Sequence, residues 1–591
     1  MKNLSSIILV MIASLLIIFS CTPPDSPGDT NPDPTSENTP LPTADGTAVP
    51  TAGPTGTPGP TSTPENDDNI LFVSTSGNDD TGTGSRDMPF KTIHKATDHA
   101  ATHPQIVEIR VKSGTYSIST PIIVVPGVSL KGGYNINDWN DRLYLSEADR
   151  ELTGYRTEIV YTGSDVGTSD NPARTLSIDG ASVDRDLYIE GFMISVYNPG
   201  ASSDYTAAIA CTGNASPTIH YNTIIGGEAS EYAYGIYTYS SSPFTGYNAI
   251  YCENGYVDKG AGIGNYSSSP EITSNTIYGC DVSTYSYGII NDNSSAEITG
   301  NTIELGNGQN AYGIYNKGGA TPVIDGNTIF GGSSITYAYG IYSMVSAPSI
   351  RGNTINLDPN STVNYTYGIY TLNDSATSLI EKNMVDPGSS DDYSYGIYED
   401  GSSSIINNNV IIGGTSGSCY GITIRNGSNP EILNNTIDGG FASANSRGLI
   451  LSMSDSNPVI MNNIIFTSSG TSRMGIFENT TINANTDPAV LQNNCFFDTP
   501  DGIYYDEWTT VINSIDDVNA LSDISGGCGG NIYQSPDFAD RAAKNFRLLP
   551  STDVNIRAGA QVQAGYSTDF DGNERTVIFN TAQGNPANVN A

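Results

Sequence analysis

The feature that most limits what this chain can fold into is an internal repeat. An Asn opening a short apolar run recurs at Asn222, Asn248, Asn275, Asn301, Asn327, Asn353, Asn383, Asn409, Asn435, Asn463 and Asn494, in steps of 26 to 31 residues. A Gly followed by Ile or Leu recurs from Gly235 to Gly502 in steps of 25 to 28. Two unrelated anchors keeping one period over about half the chain point to a solenoid, in which each unit buries its apolar face against its neighbours. Within a unit the apolar residues come in pieces of strand length and never in a long helical stripe. In Ser269–Gly279 and its continuation, Pro270 and Ile272 mark one strand, Thr276-Ile277 a second and Tyr287-Gly288-Ile289 a third, with Ser274-Asn275 as the corner between the first two. Asn tolerates the left-handed conformation better than other residues with a Cβ, so the anchor Asn is expected to turn that corner itself. Stacking then sets the Asn side chains at the strand spacing of ~4.8 Å, where amides bond along the stack.

Tyrosine follows the Gly anchor. It stands three before it at Tyr232, Tyr285, Tyr337, Tyr365 and Tyr393, and one before it at Tyr234, Tyr287, Tyr312, Tyr339, Tyr367, Tyr395 and Tyr420. Two after it come Tyr237, Tyr315, Tyr342, Tyr370, Tyr398 and Tyr504. If the Ile after Gly faces inward, period-two alternation turns the residue two after Gly outward and the residue one before it inward. Tyr237, Tyr315, Tyr342, Tyr370 and Tyr398 are therefore the candidate ligand-binding stripe, because outward tyrosines can hold sugar rings or anchor a protein. The same rings could equally serve as cover for their own sheet. The connections before the third strand vary in length and are expected to border any site.

The repeat resembles the right-handed parallel β-helix of pectin-lyase-like proteins, in which a tight corner carries an asparagine ladder. The resemblance runs over roughly residues 68 to 575. It implies an all-β solenoid of about 15 coils, three short strands per coil, with Asn222, Asn248, Asn275, Asn301, Asn327, Asn353, Asn383, Asn409, Asn435 and Asn463 as the ladder. Phe72-Val73-Ser74, Gly77-Asn78-Asp79, Pro89-Phe90-Lys91-Thr92-Ile93 and Gly114-Thr115-Tyr116 are similar to the head of an uncharacterised β-helix family. There Pro89 to Ala101 would form a short helix capping the core. Asp569 to Arg575 resembles a closing segment; its acids lack the twelfth-position Glu of a calcium loop, so it reads as a surface turn.

Before the solenoid, Leu4 to Phe19 is an apolar run too short to span a membrane as a helix, ending at Cys21. It resembles the lipobox of bacterial lipoproteins, which implies lipidation at Cys21 and a lipid-anchored protein of the bacterial cell envelope, at the outer membrane or cell surface. Residues 22 to 66 hold 12 prolines and almost no large apolar side chain, too few to bury a core, so they form a disordered tether. The division is thus 1–20 signal peptide, 21–66 linker, 67–200 cap and first coils, 201–510 repeats, and 511–591 final coils and closing segment.

Sixty-two acids against 24 bases, a net charge of −38, exclude nucleic acid as a partner and leave neutral glycans, cations or proteins. Four histidines leave little for a zinc site or a histidine base. Neither a metal site nor a cofactor is expected. Cys252 and Cys280, 28 residues apart, could pair on adjacent coils in an oxidising compartment or remain buried thiols. Glu399 and Glu478 both follow the Gly anchor by three, but three coils, roughly 14 Å, separate them. That is wide for a glycosidase carboxylate pair, and no catalytic residue is assigned. The favoured reading is a membrane-tethered binding or adhesion scaffold for a glycan or a surface protein. The alternative is a polysaccharide lyase or glycoside hydrolase of the same fold.

Overall fold

A computed structural model describes residues 67–549 apart from 144–153, 198–202, 253–256, 333–335, 358–362, 375, 454, 480–485 and 508, together with the strand pair Thr576–Asn580 and Asn585–Val589. Cys21, the tether and the Asp569–Arg575 stretch lie outside the described residues.

Each repeat gives one strand to each of three sheets, which hold 16, 15 and 15 strands. The unit quoted above supplies Glu271–Thr273 to the first sheet, Thr276–Tyr278 to the second and Tyr285–Asp292 to the third. Glu297–Thr299 then begins the next coil. The chain is a right-handed parallel β-helix of about fifteen coils, wound in the hand that twisted parallel strands favour. Register passes from coil to coil, as in Ile289 on Ile314 on Ile341 on Ile369, and shifts at Arg110–Lys112 and at Ser416–Ser418. One such branched column runs down the inside of each sheet. Ile272, Ile277 and Ile289 are all wholly buried, and each buried side chain of this kind is worth about 1.5–3 kcal/mol.

The corner between the first and second sheets takes only two residues, and here the structure corrects the expectation. The left-handed residue is the one before the anchor: Tyr247, Ser274, Gly300, Gly326, Gly352 and Lys382 have φ between 54° and 64°. The anchor Asn cannot take that role because its side chain is committed inward. The Asn327 amide nitrogen Nδ2 donates to the Ile298 carbonyl at 2.9 Å, to the Asp325 carbonyl at 3.3 Å and to Asn353 Oδ1 at 3.0 Å, while its backbone N–H donates to the same Asn353 oxygen at 2.9 Å. The carbonyl of Asp325 closes the turn, so the side chain braces the corner that its neighbour makes. This pattern runs from Asn222 through Asn494 and ends on Asn531, which continues the ladder after a 37-residue step.

The solenoid is closed at both ends. At the head, the helix Ile93–Thr102 is capped by Thr92, whose hydroxyl accepts from the Lys95 N–H, and buries Ile93, Ala96, Thr97 and Ala100. At the tail, Thr510–Ile512 turns back antiparallel on Tyr504–Asp506, and the short helix Ile515–Asn519 buries Val518. Such caps cover the open strand edges and core that stacking leaves exposed. After them a hairpin, Phe538–Asp540 with Asn545–Leu548, folds back onto the outside of the second sheet. It packs Phe538 and Phe546 against Phe466 and Phe497. Cys252 and Cys280 form a disulfide between adjacent coils. Among the described residues no helix is long and apolar enough to cross a membrane.

Candidate functional site

Most third-sheet strands of the repeats, such as Tyr285–Asp292 and Tyr337–Met344, are eight residues long with the anchor Gly in fourth place. A Cβ on Gly288 would lie 2.6 Å from both the Gly313 carbonyl oxygen and Ile303 of the second sheet, so only Gly fits where the two sheets pinch together. The strand bends there, and the alternation of side chains breaks. The Ile after Gly faces the core. The tyrosines one before and two after Gly both face out, contrary to the inward placement expected for the former, and pack on one another.

The outcome is a tyrosine layer over the third sheet. Tyr312, Tyr339, Tyr367 and Tyr395 stack at 4.8 Å, nearly parallel, and Tyr342 and Tyr398 stand edge-on to this column. Burial pushes these phenols up, Tyr315 to about 12, so they are neutral hydroxyls at physiological pH. Of the five candidate stripe residues, Tyr237 and Tyr398 are only 2% and 8% exposed, while Tyr315, Tyr342 and Tyr370 are half-buried. Tyr237 donates its hydroxyl to the Ser169 carbonyl, and Tyr398 accepts from Arg425. The stripe is thus largely engaged with itself.

Glu399 and Glu478 turn into the solenoid and are not brought together. Glu399 is fully buried, accepts from the Ser404 N–H, and has Oε1 without a partner among the described residues. Burial holds its carboxyl up at about 7. Asp374 lies nearby, held up at about 6 by burial and bonded to Ser343 and Ser378. Glu478 accepts from Tyr504 and from the Glu507 N–H, and burial raises it to about 8. Glu478, Asp487 and Asp506 bring one oxygen each within 4.8 Å of one another, close enough for a single cation to bridge. Asp487 sits in the Asn485-Thr486-Asp487 triplet, which the sequence shows, but its meeting with Asp506 depends on the antiparallel tail.

A cleft of about 310 Å³ opens on the second sheet beside the connections that lead to the third. Tyr251 and Tyr278 form its aromatic wall, stacked at 4.5 Å with planes 10° apart. Asp281, Glu304 and Asn307 line the rest, with the Asn307 amide donating to Asp281 at 2.6 Å. Gly279, Gly306 and Gly332 leave room for it. A Cβ on Gly279 would lie 2.2 Å from the Gly306 nitrogen, so the floor is backbone packed on backbone. An aromatic pair beside carboxylates and an amide offers a hydroxyl-rich ring both an apolar surface and polar partners. Sequence reasoning placed a site near these connections but attached it to the third-sheet tyrosines. The signal it passed over is the outward column Tyr251, Tyr278, Glu304 of the second sheet.

Residues 207–385 and 287–465 match the family model described as right handed beta helix region. No curated protein matches the chain. Among solved structures, tailspike protein 3 of bacteriophage CBA120 is 12% identical, with a TM-score of 0.29, over 75% of this chain and 60% of that one. The Streptococcus pneumoniae surface protein and adhesin PfbA is 12% identical, with a TM-score of 0.35, over 67% and 94%. Pectate lyase Pel9A is 11% identical, with a TM-score of 0.28, over 85% and 93%. The chain spans less than two thirds of the tailspike's length. At these scores nothing about ligand or activity passes from those proteins to this one, and what the comparisons add is the right-handed β-helix repeat across residues 207–465.

Proposed function

We propose that this protein is a lipid-tethered β-helix of the bacterial envelope that binds glycan and acts as a binding or adhesion scaffold. The observation that carries the reading is the cleft, where Tyr251 and Tyr278 stand beside Asp281, Glu304 and Asn307. Its volume suits one or two sugar units at the small end of ligand pockets. The net charge of −38 disfavours acidic polymers and leaves neutral or cationic ones. Continuous ladders make the scaffold stiff, and the Pro-rich tether from Cys21 would hold it away from the membrane. The inward placement of Glu399 and Glu478 gives no access to a substrate, which favours binding over hydrolysis. A glycan-array screen of the purified protein tests this: retention of neutral or amino glycans, lost in Tyr278→Ser, is expected. An array with no retained glycan, or equal retention by the variant, would contradict it.

A further inference from the structure

The C-terminal hairpin runs back along the outside of the second sheet, and its tip ends on a buried carboxylate. The strand Met384–Asp386 buries Val385 in the core, which turns Asp386 to the outer face. Asp386 is nevertheless only 3% exposed, with the hairpin tip lying against it. Its two oxygens have different neighbours. Oδ1 accepts from the Gly388 N–H at 3.1 Å, in the turn that follows the strand, and Oδ2 meets the Lys544 ammonium. A tight turn brings Lys544 there. Its N–H donates to the Arg541 carbonyl at 3.1 Å, and its backbone takes φ 57°, a left-handed conformation uncommon for a residue with a long side chain. The tip is anchored beside this contact. The Arg541 guanidinium lies 4.8 and 5.3 Å from the ring centres of Phe466 and Phe497, and Phe546 shares one apolar cluster with them and with Ile412.

A buried ion pair in apolar surroundings carries a desolvation cost that its own attraction does not always offset. Joining the two groups removes both charges at once. The neighbouring atoms are placed for that reaction. A lysine nitrogen is a nucleophile, and Nζ stands on the Oδ2 side of the carboxyl carbon. Attack at Cγ develops negative charge on Oδ1, where the Gly388 N–H already points. The fold holds both partners together, so no encounter between separate molecules is needed.

We propose that Lys544 and Asp386 condense to an intramolecular amide that fastens the hairpin to the solenoid. The bond formed is Nζ–Cγ and the bond broken is Cγ–Oδ2. Two of the three ammonium protons leave with Oδ2 as water. An ammonium and a carboxylate thus become a neutral amide and one water, with no oxidant, reductant or co-reactant. Oδ1 becomes the amide oxygen and keeps its Gly388 N–H. The amide spans a sequence separation of 158 residues, and a cross-link over so long a loop restricts the unfolded chain. This modification goes beyond the glycan reading and does not rest on it.

The test is tandem mass spectrometry of a tryptic digest of the denatured full-length protein. Trypsin cuts after Lys382, Arg425, Arg541 and Arg547 but not after an acylated lysine. The amide therefore predicts a branched peptide of residues 383–425 and 542–547, lighter than their sum by one water. It should replace the linear peptides that end at Lys544. Lys544→Arg keeps a positive charge beside Asp386, but a guanidinium stays charged and does not acylate, so its digest should hold linear peptides alone. Its melting temperature should fall below that of the parent. Asp386→Ala should likewise lose the branched peptide, and circular dichroism confirms that both variants fold. Linear peptides 383–425 and 542–544 in full yield from the parent would overturn the proposal and leave the contact an ion pair. A branch from Lys544 to residues 426–447, which hold Asp438, would overturn it as well.

Discussion

At the scale of single residues, Asn327 and Glu399 show how much one buried polar group can decide. Asn327 supplies three amide donations, and its Oδ1 receives both the N–H and the side-chain amide of Asn301. Asn327→Leu leaves those groups unpaired in the core and should cost about 3–5 kcal/mol. The same change at the exposed, outward Asn356 should stay within about 0.5 kcal/mol. Thermal melts of the two variants check this, and equal melting temperatures would remove Asn327 from the ladder. Glu399 gives a pH signature. Its folded carboxyl, at about 7, lies above the ordinary value of 4.5, so the folded state keeps a proton that the unfolded state releases. Its contribution is full below about pH 4.5, falls as pH rises and is lost above about 7, a difference of about 3 kcal/mol. Glu399→Gln keeps the acceptor for the Ser404 N–H and removes the proton. Its gain in melting temperature over the parent should therefore be larger at pH 8 than at pH 5. An equal gain at both would show that Glu399 does not titrate in this way.

At the scale of the element, the third-sheet strand carries the lesson about legibility. The Asn and Gly periods were plain because stacking demands the same residue at the same place in every coil. Strand order and ladder followed from them. Two things did not follow. The left-handed corner residue is Tyr, Ser, Gly or Lys in the earlier coils and Asn at Asn408, Asn434, Asn462 and Asn493, so no one letter marks it along the whole stack, and the anchor Asn drew the role in its place. The orientation of Tyr287 and its equivalents depended on alternation, which fails where Gly288 lets the strand bend toward Ile303. Asn531 was missed because the tail helix lengthens its step. The layer that results has a measurable consequence. Replacing Tyr315, Tyr342, Tyr370 and Tyr398 together by Ser removes ring contacts worth about 0.5–1.5 kcal/mol each beyond their burial. The melting temperature should fall clearly, and glycan binding in the cleft should survive. A variant as stable as the parent would show the layer to be free of structural work.

At the scale of the whole molecule, a solenoid is stabilised coil against coil, so its ends and its outer faces hold what is individual to it. The C-terminal hairpin covers one half of an outer face and leaves the half with the Tyr251–Tyr278 cleft. If Cys21 carries the lipid anchor proposed above, Cys21→Ala should move the protein from the membrane fraction to the soluble one or leave it unprocessed. Membrane association that persists in the variant and needs detergent for release would reject the anchor. The central claim is that glycan is held in the cleft and not on the tyrosine layer. Its most direct test is saturation binding of one array-positive glycan to the parent, to Tyr278→Ser and to the quadruple layer variant. Loss of binding in Tyr278→Ser with retention in the layer variant is the result expected, and retention in Tyr278→Ser with loss in the layer variant would contradict the claim.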